Sequence, residues 1–132
     1  MDLKILEIAS NTENNKVINN FTHKSKNKNP ICGDEMEISL VVKNDTVIDM
    51  GYQCKSCVYC QASVSLLSQK IKDKKIDEIK KFVVSCENIF DNTKTLLEKN
   101  WRVFLELFDE KNISRKECLL LPLRTVLKAL KK

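Results

Sequence analysis

Met36-Glu37-Ile38-Ser39-Leu40-Val41-Val42-Lys43-Asn44-Asp45-Thr46-Val47-Ile48-Asp49-Met50-Gly51-Tyr52 is the stretch that decides the fold. Met36, Ile38, Leu40 and Val42 alternate with Glu37, Ser39, Val41 and Lys43, a period of two that describes a half-buried strand. Lys43-Asn44-Asp45-Thr46 has turn chemistry, and Val47 to Tyr52 supply a returning strand, so an antiparallel hairpin is expected. It runs straight into a cysteine cluster at Cys54, Cys57 and Cys60.

Outward from the hairpin the period changes to that of helices. Ala62, Leu66, Leu67 and Ile71 fall on one helical face, and Asp73-Lys74-Lys75 punctuates that run. Ile76, Ile79, Phe82, Val83, Cys86 and Phe90 mark a second amphipathic helix. Leu96, Leu97, Val103, Phe104, Leu107 and Phe108 suggest a less regular segment around Trp101. Cys118 to Leu130 reads as a last helix, with Pro122 tolerable only in its first turn. On the N-terminal side, Leu3, Leu6, Ile5 and Ile8 suggest one side of a short helix, and Asn11 to Asn29 reads as a polar loop or arm. The expectation is a single α+β domain over residues 1–132: a small antiparallel sheet, a hairpin with room for a third strand, packed against several helices. Residues 1–29 form its divergent N-terminal helix and polar arm.

Composition narrows the function. A net charge of +5 invites a nucleic-acid reading, but only Arg102, Arg115 and Arg124 among 23 basic residues carry the guanidinium fork that phosphate and base edges favour. No nucleic acid is expected as a partner. No run of apolar residues approaches the ~20 that a bilayer span needs, and the N-terminus has no leader pattern, so no membrane partner is expected and a cytoplasmic location is. His23, the one histidine, lies in a polar stretch with no G-x-S-x-G element beside it.

Six cysteines in such a chain point to metal binding or catalysis rather than disulfides. In Asn29-Pro30-Ile31-Cys32-Gly33-Asp34-Glu35, Gly33 can take a positive φ and turn Cys32 and Asp34 toward one point, a mixed S/O site suited to zinc or iron. Taken alone, an ordinary turn explains it as well. Cys54-Lys55-Ser56-Cys57-Val58-Tyr59-Cys60 lies at a strand-to-helix transition, where a helix N-terminus favours thiolate. It resembles the start of a bacterial ferredoxin motif but has Val64 where the fourth Cys would stand. Arg115-Lys116-Glu117-Cys118-Leu119-Leu120-Leu121-Pro122 places a Cys among charged neighbours at a helix start; by itself it could be a small buried residue. Cys86 fits the apolar stripe of its helix and reads as structural.

The order NP-x-CGDE, hairpin, C-x4-AS-x-S, R-x2-C-x2-LP resembles the NifU-like scaffold proteins, with Isc-type and Suf-type members, from about Asn29 to Leu130. The resemblance implies the NifU-like scaffold fold and a site at which Cys32, Asp34, Cys57 and Cys118 hold a [2Fe–2S] cluster or iron, or alternatively Zn2+. It implies iron–sulfur cluster assembly with sulfur accepted from a cysteine desulfurase, or a zinc-dependent sulfur relay of the Suf type, and apo iron–sulfur client proteins as further partners. Cys57 is the candidate persulfide acceptor and Cys118 the competing one. Cys54 and Cys60 are additions to the family pattern, and Glu117 stands where Isc-type members have His; all three are candidate extra ligands. The chain is expected to be a monomer or transient homodimer. Two rivals stay open: a redox enzyme using Cys57 and Cys60 as a dithiol, and a purely structural zinc module that holds a partner.

Overall fold

The computed structural model describes residues 3–30, 33–89, 99–108 and 110–131. In chain order these form α1 (Leu3–Ala9), β1 (His23–Lys28), β2 (Glu35–Lys43), β3 (Thr46–Lys55), α2 (Val58–Lys70), β4 (Lys74–Lys75) and α3 (Ile76–Ile89). Two 3-10 segments, Lys99–Glu106 and Glu110–Arg115, then lead into α4 (Lys116–Leu130). The strands make one antiparallel sheet in the order β1-β2-β3-β4, and the expected α+β class is observed.

The hairpin forms as its alternation requires. Met36, Ile38 and Leu40 face the core opposite Tyr52 and Met50, all buried. Asn44 and Asp45 both take positive φ (53° and 60°), the conformation whose twist suits a two-residue connection between right-twisted strands. A register shift after Val41 leaves Ile48 without a partner and 45% exposed, which returns Val47 to the core face.

Helix α2 is the hub of the helical layer. It contacts α1, α4 and β3, and every residue from Ala62 to Ser68 is buried. Three of these are serines, small enough for close helix approach, and each hydroxyl has a partner: Ser63 Oγ donates to the Leu119 carbonyl (2.6 Å), Ser65 Oγ to that of Asn11 (2.6 Å) and Ser68 Oγ to that of Ser65 (2.7 Å). Beyond it, Phe82 of α3 stacks on Trp101 at 4.1 Å between centroids, so the segment around Trp101 belongs to the core.

Three expectations are corrected. His23–Lys28, read as part of a polar arm, is an edge strand on β2. Its sequence, HKSKNK, has no apolar face, so strand periodicity has nothing to register; the backbone ladder and α4 hold it. Ser25 Oγ donates to the Thr125 carbonyl (2.6 Å) and Lys128 Nζ to that of Lys26 (2.7 Å), which covers an edge otherwise open to pairing. In α1 the buried anchor is Ile5, with Ile8 and Ala9 beside it, while Leu3 is 79% exposed and Leu6 is exposed too. The i, i+3, i+4 set beginning at Ile5 is the one that faces α2. Pro122 is the seventh residue of α4, well past its first turn. Phe90, Leu96 and Leu97 lie outside the described residues.

Gly51 is the one strand position where another part of the chain demands the absence of a side chain. A Cβ there would sit 2.6 Å from the Lys16 carbonyl oxygen and 3.0 Å from Ile18 Cγ1. The neighbouring Tyr52 N–H donates to the Asn14 carbonyl (3.1 Å), so the segment from Asn14 to Ile18 is laid directly over β3. Gly51→Ala is therefore expected to lower the unfolding free energy by about 1–3 kcal/mol, read as a reduced urea midpoint with unchanged m-value.

Candidate metal centre

The site is built where three chain segments arrive at the start of α2. The first is the loop before β2. Gly33 takes φ +78°, a left-handed conformation that a side chain would resist. Two backbone bonds close the loop: Gly33 N–H to the Asn29 carbonyl and Asn29 N–H to the Asp34 carbonyl, both 2.8 Å. Asp34 is thereby driven inward and is only 6% exposed.

The second segment is the junction of β3 and α2. Cys57 is the N-cap residue of α2, with φ −72° and ψ 168°, and its side chain makes no capping bond. Its N–H donates instead to Asp34 Oδ1 (3.2 Å). The helix start is thus held by a carboxylate from the first loop, and the Cys57 thiol is left uncommitted and partly exposed.

The third is the first turn of α4, which carries Cys118, 5% exposed. This turn is poorly supported by its own helix. Its N-cap, Arg115, offers no side-chain cap, and Pro122 has no N–H to donate to the Cys118 carbonyl. Tertiary contacts compensate. Ser63 of α2 holds the Leu119 carbonyl. Arg124 grips Glu87 of α3 with two bonds, Nε to Oε1 at 2.7 Å and Nη2 to Oε2 at 3.0 Å, and also donates to Glu117. The Arg115 guanidinium lies 5.2 Å from the centre of the Tyr59 ring, joining the start of α4 to the first turn of α2.

Together these segments bring one ligand atom each from Asp34, Cys57 and Cys118 within 4.8 Å of one another. Ligands on one tetrahedral zinc lie roughly 3.5–3.8 Å apart, given Zn–S near 2.3 Å and Zn–O near 2.0–2.2 Å. Small side-chain adjustments would therefore suffice. The chemistry of the donors also fits a cation: Asp34 Oδ2 is buried and has no hydrogen-bond partner among the described residues, a costly state for a carboxylate oxygen that a metal would relieve.

Cys32 lies outside the described residues. Cys54 sits at the end of β3, partly exposed, and Cys60 is fully buried in the first turn of α2; neither belongs to the group of three. Burial pushes the Cys60 thiol far up from its ordinary range; the Ser56 hydroxyl pulls it down, and Asp34, Cys54 and Cys57 push it further up. Glu117 is committed to Arg124 and also lies outside the group. The clamp of Glu87, Arg124 and Glu117 escaped the sequence reading, because a pairing 37 residues apart between two helices leaves no local signal. The described cysteines form no disulfide, and Cys86 is buried in α3 as its position in the apolar stripe implied.

The NifU-like N terminal domain family matches residues 2–101. The chain is 31% identical to the iron–sulfur cluster assembly scaffold protein IscU of Thermotoga maritima, over 97% of this chain and 90% of that protein. It is 32% identical to the zinc-dependent sulfurtransferase SufU of Bacillus subtilis over 55% of this chain and 49% of that one. Among solved structures, FiSufU of Fervidobacterium islandicum AW-1, assigned as an iron–sulfur cluster assembly scaffold for the SUF system, superposes with a TM-score of 0.91 at 26% identity, covering 99% of this chain and 96% of that one. The N-terminal part of a nitrogen-fixing NifU-like protein from Brucella abortus has the same fold, with a TM-score of 0.90 at 19% identity over 98% and 91% of the two chains.

Cys86 provides a pH test of the buried thiols away from the site. Burial, and then the charge of Glu87, raise it far above its ordinary value of 9.0. Below that value folded and unfolded chains both keep the proton, so no pH dependence arises. Above it the unfolded chain releases the proton while the folded chain holds it, so stability falls as pH rises, by up to about 1.4 kcal/mol per pH unit for one thiol. Urea unfolding between pH 7 and 10 should show a shallower decline for Cys86→Ala than for the wild-type chain.

Proposed function

This chain belongs to the NifU-like N-terminal domain family, and from that membership we propose that it is an iron–sulfur cluster assembly scaffold whose site is formed by Cys32, Asp34, Cys57 and Cys118. The observation that carries the site is the unpartnered, buried Asp34 Oδ2 beside two converging cysteines. Cys32 joins by motif, two residues before Asp34 on the loop that Gly33 turns. Three soft thiolates hold iron or zinc firmly, and the harder carboxylate is the weaker donor. A mixed set of this kind leaves one coordination position that yields readily, which suits a protein that must pass its cargo on. Iron and sulfane sulfur are the substrates here, and a cluster of the [2Fe–2S] type is the product delivered to apo client proteins, an external reductant supplying the two electrons that bring each sulfur to sulfide.

Sulfur is accepted as sulfane sulfur from a cysteine desulfurase, with Cys57 as receiving thiol. Its partial exposure, against 5% for Cys118, supports that order. Its place at the N-terminus of α2 supplies backbone dipoles that favour thiolate. The Asp34 bond to the Cys57 N–H holds thiol and carboxylate in fixed relation, so binding does not have to order them.

A second reading, a zinc-dependent sulfur relay, draws on the likeness to SufU and on the same donor set. A Cys57/Cys60 dithiol redox enzyme is disfavoured by the complete burial of Cys60. Thiols at all the described cysteines suit a reducing compartment, and no described helix is long and apolar enough to cross a membrane.

Purification without oxygen, followed by iron, zinc and acid-labile sulfide analysis, separates these readings. Iron and sulfide in near-equal amounts are expected for the scaffold, whereas zinc alone, near one per chain, would replace it with the relay. In either case Cys118→Ser is expected to weaken metal binding by about 100-fold or more, measured by competition with a chromogenic chelator. Retention of wild-type affinity would remove Cys118 from the ligand set.

A further inference from the structure

We propose that Arg124 is a positioning residue of the metal centre: its clamp on Glu87 and Glu117 keeps Cys118 docked and so sets how slowly the site lets go of its metal. The proposal rests on the metal-site reading above and concerns release rather than loading. It starts from the weakness of the turn that carries Cys118. Pro122 stands four residues after Cys118 and has no N–H, so the bond that would tie the Cys118 carbonyl to the next turn is missing. A helix that lacks such a bond bends there more easily than elsewhere. Lys116 to Cys118 therefore forms the short arm of a hinge, and one thiol donor sits on that arm.

Arg124 bridges that hinge. It lies two residues beyond Pro122, and its Nη1 donates to the carboxylate of Glu117, seven residues back and next to Cys118. Seven residues are about two turns, so both side chains lie on one face of α4 and their bond spans the gap that the proline leaves. The rest of the guanidinium is anchored outside the helix, with Nε and Nη2 donating to the two oxygens of Glu87 at 2.7 and 3.0 Å. Glu87 stands on α3 beside the buried Cys86, and Phe82 of the same helix stacks on Trp101. A rigid planar fork lets one side chain hold two carboxylates in fixed geometry, which a lysine ammonium does not. A line of bonds thus runs from the core, through α3 and Arg124, to the residue before Cys118.

The clamp is also able to open. The side chains of Arg124, Glu87 and Glu117 keep 36%, 35% and 45% of their surface exposed, so water can replace each bond without unfolding the core. Two other restraints on this turn, the Ser63 hydroxyl on the Leu119 carbonyl and the Arg115 guanidinium on Tyr59, tie it to α2, and neither crosses the Pro122 position. With the clamp closed, Cys118 stays beside Asp34 and Cys57. With it open, the arm swings and the metal loses one thiolate. Losing a single charge-assisted bond corresponds to about tenfold or more in a rate. Arg124 also keeps Glu117 occupied, so the carboxylate next to Cys118 in sequence does not join the group of three.

The test loads the full chain with zinc and follows its loss at saturating EDTA, where the rate no longer depends on the chelator. Arg124→Met is expected to release zinc about tenfold faster than the wild-type chain. Arg124→Lys and Glu87→Gln, which each keep part of the clamp, should fall between the two. In a Cys118→Ser chain, whose release is already fast, Arg124→Met should change the rate by less than about twofold, because the donor through which Arg124 acts is gone. A general loss of stability would instead accelerate both backgrounds alike. The proposal is overturned if Arg124→Met releases zinc at the wild-type rate, or more slowly, as a freed Glu117 acting as a new ligand would cause. It is overturned equally if Arg124→Met accelerates release as much in the Cys118→Ser chain as in the wild-type one. Should Arg124→Met not fold, Glu87→Gln takes its place in both backgrounds and is read by the same outcomes. Release at the wild-type rate by Cys118→Ser alone would instead overturn the metal-site reading on which the proposal rests.

Discussion

The Asp34 carboxylate is asked to do two things that oppose each other. One oxygen accepts the Cys57 N–H and so secures the start of α2; the other is buried with no donor to satisfy it. A buried carboxylate oxygen in that state is costly, and a cation at the proposed site would offset the cost. The loop that places it there depends on Gly33 at positive φ and on two backbone bonds that close Asn29 onto Gly33 and Asp34. Because Cys57 is fixed by the same carboxylate, any movement of the loop moves two donors together.

The third donor is held by a different principle. Cys118 sits in a helical turn with no side-chain cap and a proline four residues on. Such a turn would fray in isolation. Contacts from three directions keep it in place: the Ser63 hydroxyl, the Arg115 stack on Tyr59, and the Arg124 clamp onto Glu87 and Glu117. The guanidinium of Arg124 is kept charged to well above its usual range by its bonds to Glu87, despite the opposing effect of burial, with Glu117 adding to it. A ligand held by tertiary contacts rather than by its own helix can shift as a unit when those contacts loosen. That would suit the proposed site, from which a cargo has to leave.

Burial sorts the remaining thiols by what they can do. Cys86 and Cys60 are buried, and their burial favours the neutral thiol, which makes them poor nucleophiles. Cys54 and Cys57 remain within reach of solvent on either side of the strand-to-helix junction. Six cysteines that look alike in the chain are therefore not equivalent chemically.

The hairpin, the helices after it and the α+β class were legible in the sequence, because apolar alternation and helical periodicity are local and each buried face must match its neighbour. The family was legible in three ordered motifs, although each alone was open to a blander reading. The edge strand His23–Lys28 was not, since a strand held by backbone bonds and covered by α4 has no apolar rhythm to display. Nor was the buried face of α1, where two overlapping apolar sets compete and only docking on α2 selects Ile5 over Leu3. At the site, residue types and order suggested the candidate donors, but only the tertiary structure brought Asp34, Cys57 and Cys118 within 4.8 Å, left one carboxylate oxygen without a partner among the described residues and assigned Glu117 to Arg124. Those outcomes depend on contacts between residues far apart in the chain, and a linear pattern carries information only about neighbours that share an element.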